Sequence, residues 1–168
     1  RAMHFALTRL AMRTLGRLSD GIRIGLETGF DSGSSLDYVY RNQAAGRLLL
    51  GRLIDRGYLD SIGWRGVRVR RTHLLRAIGR AAEELRGRGQ PLRIADPAAG
   101  HGSYVLDAVE QLPERPQSIV LRDFSDENVR QGQALIRARR IEDLARFETG
   151  DAFDEAALAA LTPRPNLV

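Results

Sequence analysis

Residues 92–103 read Leu-Arg-Ile-Ala-Asp-Pro-Ala-Ala-Gly-His-Gly-Ser, and this stretch decides the fold. Its apolar start predicts a short β-strand that ends at Asp96. The small residues Ala98, Gly100 and Gly102 then predict a turn whose backbone can approach a ligand closely, since larger side chains would prevent that approach. A helix is expected directly after this turn. A strand, a turn of small residues and a helix in this order are typical of a sheet that binds its ligand at the carboxyl ends of the strands.

Strands and helices are expected to alternate from this point onward. The predicted strands cover 92–95, 118–121, 145–148 and 166–168, and the predicted helices cover 103–112, 126–140 and 155–161. Alternation at this spacing indicates parallel strands joined by right-handed crossovers. We therefore predict an α/β fold over residues 91–168, a Rossmann-like doubly wound parallel sheet that is incomplete, with about four strands present.

Residues 1–90 are predicted to form an α-helical segment that precedes the sheet. Apolar stripes at helical spacing predict helices over 2–18, 36–55 and 72–86. The glycines between the first two stripes predict a loop, after which Ser34 or Ser35 is expected to cap the second helix. A basic stretch over 64–71 is expected to lead into the third helix.

Two classes of cofactor use a glycine-rich turn of this kind. A dinucleotide site requires the pattern G-x-G-x-x-G, and the two possible frames place its third glycine at Val105 or Ser103. S-adenosylmethionine (SAM) has no phosphate and needs only an acidic residue at the strand end, followed by small residues that admit its methionine part. The sequence matches this second pattern at Asp96, Ala98, Gly100 and Gly102.

Acidic residues also follow the next two predicted strands. Asp123 ends the second strand, where a carboxylate can accept both ribose hydroxyls, and Phe124 beside it can lie against the adenine ring. Asp151 ends the third strand, where it can accept the adenine amino group while the N–H of Ala152 donates to a ring nitrogen. Three carboxylates that close three successive strands favour a SAM site over a purely structural arrangement.

These motifs carry a family resemblance. Residues 92–154 resemble motifs I to III of class I SAM-dependent methyltransferases. Nearly the whole chain resembles a bacterial methyltransferase family that is found C-terminal to α/β-hydrolase-like domains. The resemblance implies a seven-stranded fold with a helical extension, and it allows an upstream hydrolase-like domain in the same polypeptide. The stretches that carry the second resemblance are Gly29-Phe30-Asp31-Ser32-Gly33, Leu36-Asp37-Tyr38-Val39-Tyr40-Arg41-Asn42-Gln43, Ile62-Gly63-Trp64-Arg65-Gly66 and the glycine-rich turn.

Other polar residues leave alternatives open. Tyr40 or Arg41 reaches the cofactor's carboxylate if their helix covers the pocket; otherwise Tyr38 and Tyr40 pack and Arg41 is solvated. His101 is expected to point to solvent rather than to act as a base. Catalytic residues are unknown, and we expect them beyond Val168, because the substrate groups of this fold usually follow the fourth strand.

Composition limits the remaining possibilities. The net charge is +5, and all 26 basic residues are arginines spread along the chain. No cysteine and no apolar run of transmembrane length occur, so we expect a cytoplasmic enzyme with no metal site. A small molecule or lipid is expected as methyl acceptor rather than nucleic acid, because only Trp64 offers a stacking ring near the basic stretch. The alternatives are an NAD-binding oxidoreductase domain or a non-catalytic adaptor that binds RNA or a membrane.

Overall fold

Three parallel strands form the sheet in the structure, a computed structural model that describes residues 14–168. They are β1 (Arg93–Asp96), β2 (Ser118–Asp123) and β3 (Ala145–Thr149), and they lie in the order β1-β2-β3. Asp96 pairs with Leu121 and Asp123 pairs with Thr149, so the carboxyl ends of the strands meet at one edge. The predicted α/β fold with a parallel sheet is confirmed.

Seven α-helices accompany these strands in the described part of the chain, after a 3₁₀ turn over Leu15–Leu18. The helical elements alternate with strands only from β1 onward. The helices are α1 (Asp20–Thr28), α2 (Gly33–Arg41), α3 (Leu48–Leu59), α4 (Ile62–Gly87), α5 (Ser103–Glu110), α6 (Asp126–Arg139) and α7 (Glu155–Ala159).

The predicted fourth strand is present as a single parallel bridge between Ile94 and Leu167. The N–H of Ala95 donates to the carbonyl of Leu167 at 2.8 Å. Because β2 occupies the other side of β1, residue 167 lies beside β1 on its free side. The direction of strand addition therefore reverses at β1, and such a switch point is where sheets of this class form a crevice for ligands.

Helices cover both faces of the sheet. One face packs the buried side chains of Ile94, Ile119 and Leu121 against α5, α6 and the end of α4. The other face packs Ala95 and Val120 against residues in and after α7. Apolar side chains on both faces are what a doubly wound sheet requires, because its strands are buried on two sides.

The chain divides between Arg70 and Arg71 into two compact units, which we call the helical unit (up to Arg70) and the α/β unit (from Arg71). The predicted first helix over 2–18 lies outside the described residues, apart from the 3₁₀ turn at its end. In the described residues, no helix is both long and apolar enough to cross a membrane.

The prediction of a glycine-marked loop after the 3₁₀ turn is wrong, because α1 occupies most of that segment. Ser19 caps α1 by accepting the N–H of Ile22 at 3.1 Å. A Cβ at Gly21 would lie 2.5 Å from the ring of Tyr58, and one at Gly25 would lie 2.3 Å from the ring of Phe30. These glycines therefore provide room for aromatic rings against a helix rather than marking a turn.

The predicted helix over 36–55 is two helices, α2 and α3, separated by residues 42–47. Asn42 adopts a left-handed conformation with φ 53° and ends α2. The cap of α2 is Ser32, which accepts the N–H of Ser35 at 3.2 Å, so the prediction of Ser34 or Ser35 is wrong. The helical pattern in the sequence continued across a break that backbone conformation and packing impose.

The basic stretch over 64–71 belongs to α4, which begins ten residues earlier than predicted, at Ile62 rather than residue 72. Trp64 and Val67 lie about one helical turn apart and pack against the buried cluster of Tyr38, Val39 and Leu59. Arg68 donates to the Leu59 carbonyl at 2.9 Å. Packing on this side keeps the glycine-containing start of the helix in helical form.

Asp55 is the polar centre of the helical unit. Its side chain is fully buried, and its carboxylate accepts hydrogen bonds from four donors. Two donors are side-chain hydroxyls, from Ser19 and Tyr38, and the N–H groups of Gly21 (2.9 Å) and Ala45 (3.0 Å) complete the set. Burial and this carboxylate raise the pKa of Tyr38, so the tyrosine stays a donor. The carboxylate thus ties together α1, α2, α3 and the segment after α2.

Candidate functional site

The glycine-rich turn is held in a conformation that favours glycine. Gly100 has φ 59° and Gly102 has φ 71°, both in the left-handed region. A Cβ at Gly102 would also lie 2.5 Å from Cδ1 of Leu121, inside the core. Conformation and packing therefore both require glycine at 102, directly before the start of α5.

Two hydrogen bonds attach this turn to the end of β2. The N–H of Ala99 donates to the carbonyl of Arg122 at 2.9 Å, and the N–H of Gly100 donates to Oδ2 of Asp123 at 2.8 Å. The pairing of β1 with β2 places these backbone segments side by side. The turn and the acidic end of the second strand thus form one local structure.

Asp123 is partly buried and already accepts three hydrogen bonds from the protein. Besides Gly100, the N–H of Ser125 and the side-chain amide of Asn128 both donate to its Oδ1 at 2.9 Å. A carboxylate has about four acceptor positions. Asp123 therefore has room for about one further donor at Oδ2, and a pair of donors would require one of these bonds to shift.

Asp96 ends β1 beside this group. Its carboxylate accepts the N–H of Ala98 at 3.2 Å and the hydroxyl of Tyr104 from the first turn of α5. Burial raises the pKa of Asp96, the two hydrogen bonds oppose that rise, and the negative charge of Asp123 adds to it. A cation placed beside these two carboxylates would relieve the cost of ionising Asp96.

The end of β3 adds a more exposed group. Oδ1 of Asp151 accepts the N–H of Phe153 at 2.9 Å within its own turn, and Asp151 is exposed. The N–H of Gly150 donates to the carbonyl of Asp123 at 3.0 Å, which fixes this turn beside the end of β2. The side chains of Phe124 and Phe153, which follow these two strands, are 82% and 91% exposed.

The structure brings the predicted residues together in two groups. Hydrogen bonds join Asp96 to Ala98 and Gly100 to Asp123, with Gly102 closing the turn. The second group follows the ends of the neighbouring strands and consists of Phe124, Asp151 and Ala152. Among the described residues, no side chain of this second group forms a hydrogen bond to the first group.

Three residues at this edge were missed from the sequence. Tyr104 donates to Asp96, Asn128 donates to Asp123, and Phe153 is an exposed aromatic ring after β3. The signal for Phe153 was the same as for Phe124, an aromatic residue just after a strand-end carboxylate. Tyr104 and Asn128 lie in the first turns of helices, and no local pattern marked which way they point.

The prediction that His101 points to solvent is wrong, because the residue is buried, with only 6% of it exposed. Its carbonyl oxygen would lie 3.1 Å from a Cβ at Gly132, so α6 packs directly against this part of the turn. In the helical unit, Tyr38 is buried and packs with Val39 and Leu59, in agreement with the interpretation that this tyrosine has a packing role. Arg41 pairs with Asp37 at 3.1 Å.

No cluster of three or more potential metal ligands occurs in residues 14–168. The acceptors at the strand ends are the carboxylates of Asp96, Asp123 and Asp151, and their protein partners are backbone N–H groups, the Tyr104 hydroxyl and the Asn128 amide. The arrangement is therefore an acceptor-rich edge that suits a ligand carrying several hydrogen-bond donors and a positive charge.

All 168 residues match the model of a protein family described as "Putative methyltransferase", and the chain belongs to this family. The chain is 51% identical over 163 residues to the uncharacterized protein YnbC of Escherichia coli strain K12. That match covers 97% of this chain and 28% of YnbC, so the chain spans little more than a quarter of this relative.

Solved structures similar to the chain include two of WbdD. A co-crystal structure of WbdD with the kinase inhibitor LY294002 matches 61% of this chain and 22% of its own, at 26% identity and a TM-score of 0.44. A structure of WbdD described as a bifunctional kinase-methyltransferase matches the same shares, at 24% identity and a TM-score of 0.42.

Proposed function

We propose that this chain is the cofactor-binding front half of a class I methyltransferase that uses SAM. The observation that carries the proposal is the hydrogen bond from the Gly100 N–H to Asp123 at 2.8 Å. It joins the glycine-rich turn to the acidic end of β2, beside Asp96 and at the switch point of the sheet. Membership of a methyltransferase family supports the same conclusion.

The chemistry of the donor set fits SAM. When ionised, the carboxylates of Asp96, Asp123 and Asp151 only accept hydrogen bonds. SAM offers an ammonium group, two ribose hydroxyls and an adenine amino group as donors, together with a positively charged sulfur. NAD would instead bring a pyrophosphate close to Asp96 and Asp123, where like charges repel.

Each strand end takes one part of the cofactor in this proposal. Asp96 accepts the ammonium group, while Ala98, Gly100 and Gly102 leave room for the methionine part. Asp123 accepts one ribose hydroxyl at Oδ2. Around the adenine, Phe124 lies against one face, Asp151 accepts the amino group and the N–H of Ala152 donates to a ring nitrogen.

The sulfonium of SAM supplies an already activated methyl group. The chain's residues contribute position, because Asp96, the turn and Asp123 fix the cofactor relative to the sheet edge. We propose a small molecule or lipid as methyl acceptor, and we assign no catalytic residue. An upstream α/β-hydrolase-like domain and a cytoplasmic location stay predictions, and so do the domain limits of 1–90 and 91–168.

The test of this proposal is calorimetric titration of S-adenosylhomocysteine into the full-length polypeptide that carries this chain, with NADH as the control ligand. We expect binding of S-adenosylhomocysteine and no binding of NADH. Binding of NADH alone would replace the proposal with the oxidoreductase alternative. Binding of neither ligand by the folded protein would refute a cofactor site of either class.

Two aspartate variants test the site itself. Asp123→Ala should weaken S-adenosylhomocysteine binding by roughly 100-fold, because a charge-assisted bond to the cofactor is lost and the turn loses the partner of Gly100. Asp143→Ala is the matched control, since this exposed aspartate lies before β3, at the opposite edge of the sheet. Equal affinity in both variants would contradict the assignment of Asp123.

A further inference from the structure

Helix α3 exposes four of its leucines, which lie in its first two turns. The residues it buries are Gly51, Asp55 and Leu59. Four leucines are exposed instead, by 81%, 75%, 55% and 63% in chain order. We call them the leucine face; it consists of Leu48, Leu49, Leu50 and Leu53.

This orientation is fixed by the packing of the helical unit. A Cβ at Gly51 would lie 2.4 Å from the carbonyl oxygen of Leu18, so no larger side chain fits on the inner side. Asp55, one turn later, is held by its four donors. Rotating α3 to bury its leucines would break both contacts, so the leucine face stays outside.

The start of α3 also indicates that the leucine face is held outside. Leu48 has φ 57°, a left-handed conformation that is uncommon for leucine and costs conformational energy. Its side chain is nevertheless the most exposed of the four. Adjacent exposed leucines forgo the stabilisation that burial would bring, and such contiguous apolar patches mark interaction surfaces.

The charges around the leucine face identify the kind of partner. Arg47 and Arg52 are exposed, and neither forms an ion pair within the described residues. The only acidic residue within α3 is the buried Asp55, while Asp60 just after it pairs with Arg56 at 3.0 Å. The outer side of α3 therefore presents leucines and unpaired arginines without a free carboxylate.

We propose that the leucine face binds an anionic phospholipid surface, with Arg47 and Arg52 contacting the headgroups. A helix that lies in a membrane interface combines an apolar side with flanking arginines that attract anionic lipids. This inference concerns the helical unit and does not depend on the proposed cofactor site. It assigns the protein a place of action at a membrane surface.

The experiment is co-sedimentation of the full-length polypeptide with two kinds of vesicle, phosphatidylcholine alone and phosphatidylcholine with an equal part of phosphatidylglycerol. We expect binding to the mixed vesicles that weakens as salt is added. The double variant Leu49→Ser with Leu53→Ser should reduce the bound fraction about tenfold or more, because apolar insertion supplies part of the binding. Arg47→Gln with Arg52→Gln should lower binding to the mixed vesicles and remove most of its salt dependence.

The matched control is Leu26→Ser with Val69→Ser, which changes two exposed apolar residues elsewhere in the helical unit. It should bind vesicles as the unchanged protein does. Absence of vesicle binding by the unchanged, folded protein would overturn the proposal, as would equal binding by the leucine variant. A dimer that the leucine variant converts to a monomer would assign the leucine face to a second copy instead. Titration of S-adenosylhomocysteine in the same samples reports separately on the cofactor site.

Discussion

The two units of the chain each contain a carboxylate that organises its surroundings, and the two carboxylates differ in how completely the protein surrounds them. Asp55 in the helical unit is fully buried and accepts four hydrogen bonds from the protein. Asp123 in the α/β unit is only partly buried and accepts three. Its neighbour Asp96 has a raised pKa, with burial as the largest cause.

This difference separates a structural carboxylate from one that suits a ligand. At Asp55 every acceptor position is filled, and the energy of four hydrogen bonds offsets the cost of burying the charge. At Asp96 and Asp123 two negative charges lie close together and acceptor capacity is left over. An arrangement of this second kind costs stability in the absence of a ligand and gains from a bound cation.

The largest effect is expected at Asp55. Asp55→Ala would leave three buried donors without this acceptor, while the part-buried N–H of Ala45 keeps the Tyr38 hydroxyl oxygen at 3.2 Å. We expect the change to destabilise the helical unit by about 3–5 kcal/mol. Denaturant unfolding followed by the fluorescence of Trp64, the only tryptophan in the chain, measures this change. Asp60→Ala is the control, because this exposed residue makes a surface ion pair worth less than about 1 kcal/mol. A similar loss in both variants would show that Asp55 is not the organising residue.

A smaller effect is expected at the glycine-rich turn. Gly102→Ala must place a Cβ in a left-handed conformation against Leu121, so we expect a loss of about 2–4 kcal/mol in the α/β unit. Hydrogen exchange of the amides in α5 and β2 reports this loss. Gly57→Ala is the comparison, because Gly57 lies in α3 with no atom within 4 Å of an added Cβ. That change should stabilise the helical unit by about 0.5–1 kcal/mol.

The smallest effect on stability is expected at Asp96, and its sign is opposite. Because the pKa of Asp96 is raised in the folded state, ionising this carboxyl costs stability, and the cost is present above the folded pKa and absent below the unfolded one. In Asp96→Asn, the amide oxygen can still accept from the N–H of Ala98 and the amide nitrogen can donate to the hydroxyl oxygen of Tyr104, but the charge is removed. Thermal unfolding without ligand should therefore occur at a slightly higher temperature in this variant near neutral pH. A lower unfolding temperature would mean that the charge stabilises the site by itself.

The α/β unit could be predicted from the sequence because local signals and tertiary structure agree there. The apolar runs at β1, β2 and β3 each end at or near an acidic residue or a glycine, and Ser125 caps α6 as expected. The helices α5 and α7 end two residues earlier than predicted. Hydrogen-bond partners such as Tyr104 and Asn128 could not be predicted, because they depend on how helices lie on the sheet.

The helical unit was harder to predict because several of its glycines lie inside helices, while Gly29 does end a helix. Gly21 and Gly25 lie inside α1 and make room for the rings of Tyr58 and Phe30, and Tyr58 is 37 residues away from Gly21 in the sequence. The break between α2 and α3 follows from close backbone packing, since a Cβ at Gly46 would lie 2.3 Å from the carbonyl oxygen of Gly51. Propensity and periodicity contain no information on such long-range contacts.

The most direct test of the account is the affinity for S-adenosylhomocysteine measured by calorimetry as a function of pH, in the unchanged protein and in Asp96→Asn. If the carboxylates of Asp96 and Asp123 hold the cofactor, affinity should fall as the pH is lowered from neutral through the raised pKa of Asp96, because protonation removes the charge that accepts the ammonium group. The Asn variant should bind roughly tenfold more weakly at neutral pH, with most of this pH dependence gone. An affinity that is the same in both proteins at every pH would contradict the central claim that this sheet edge is the cofactor site.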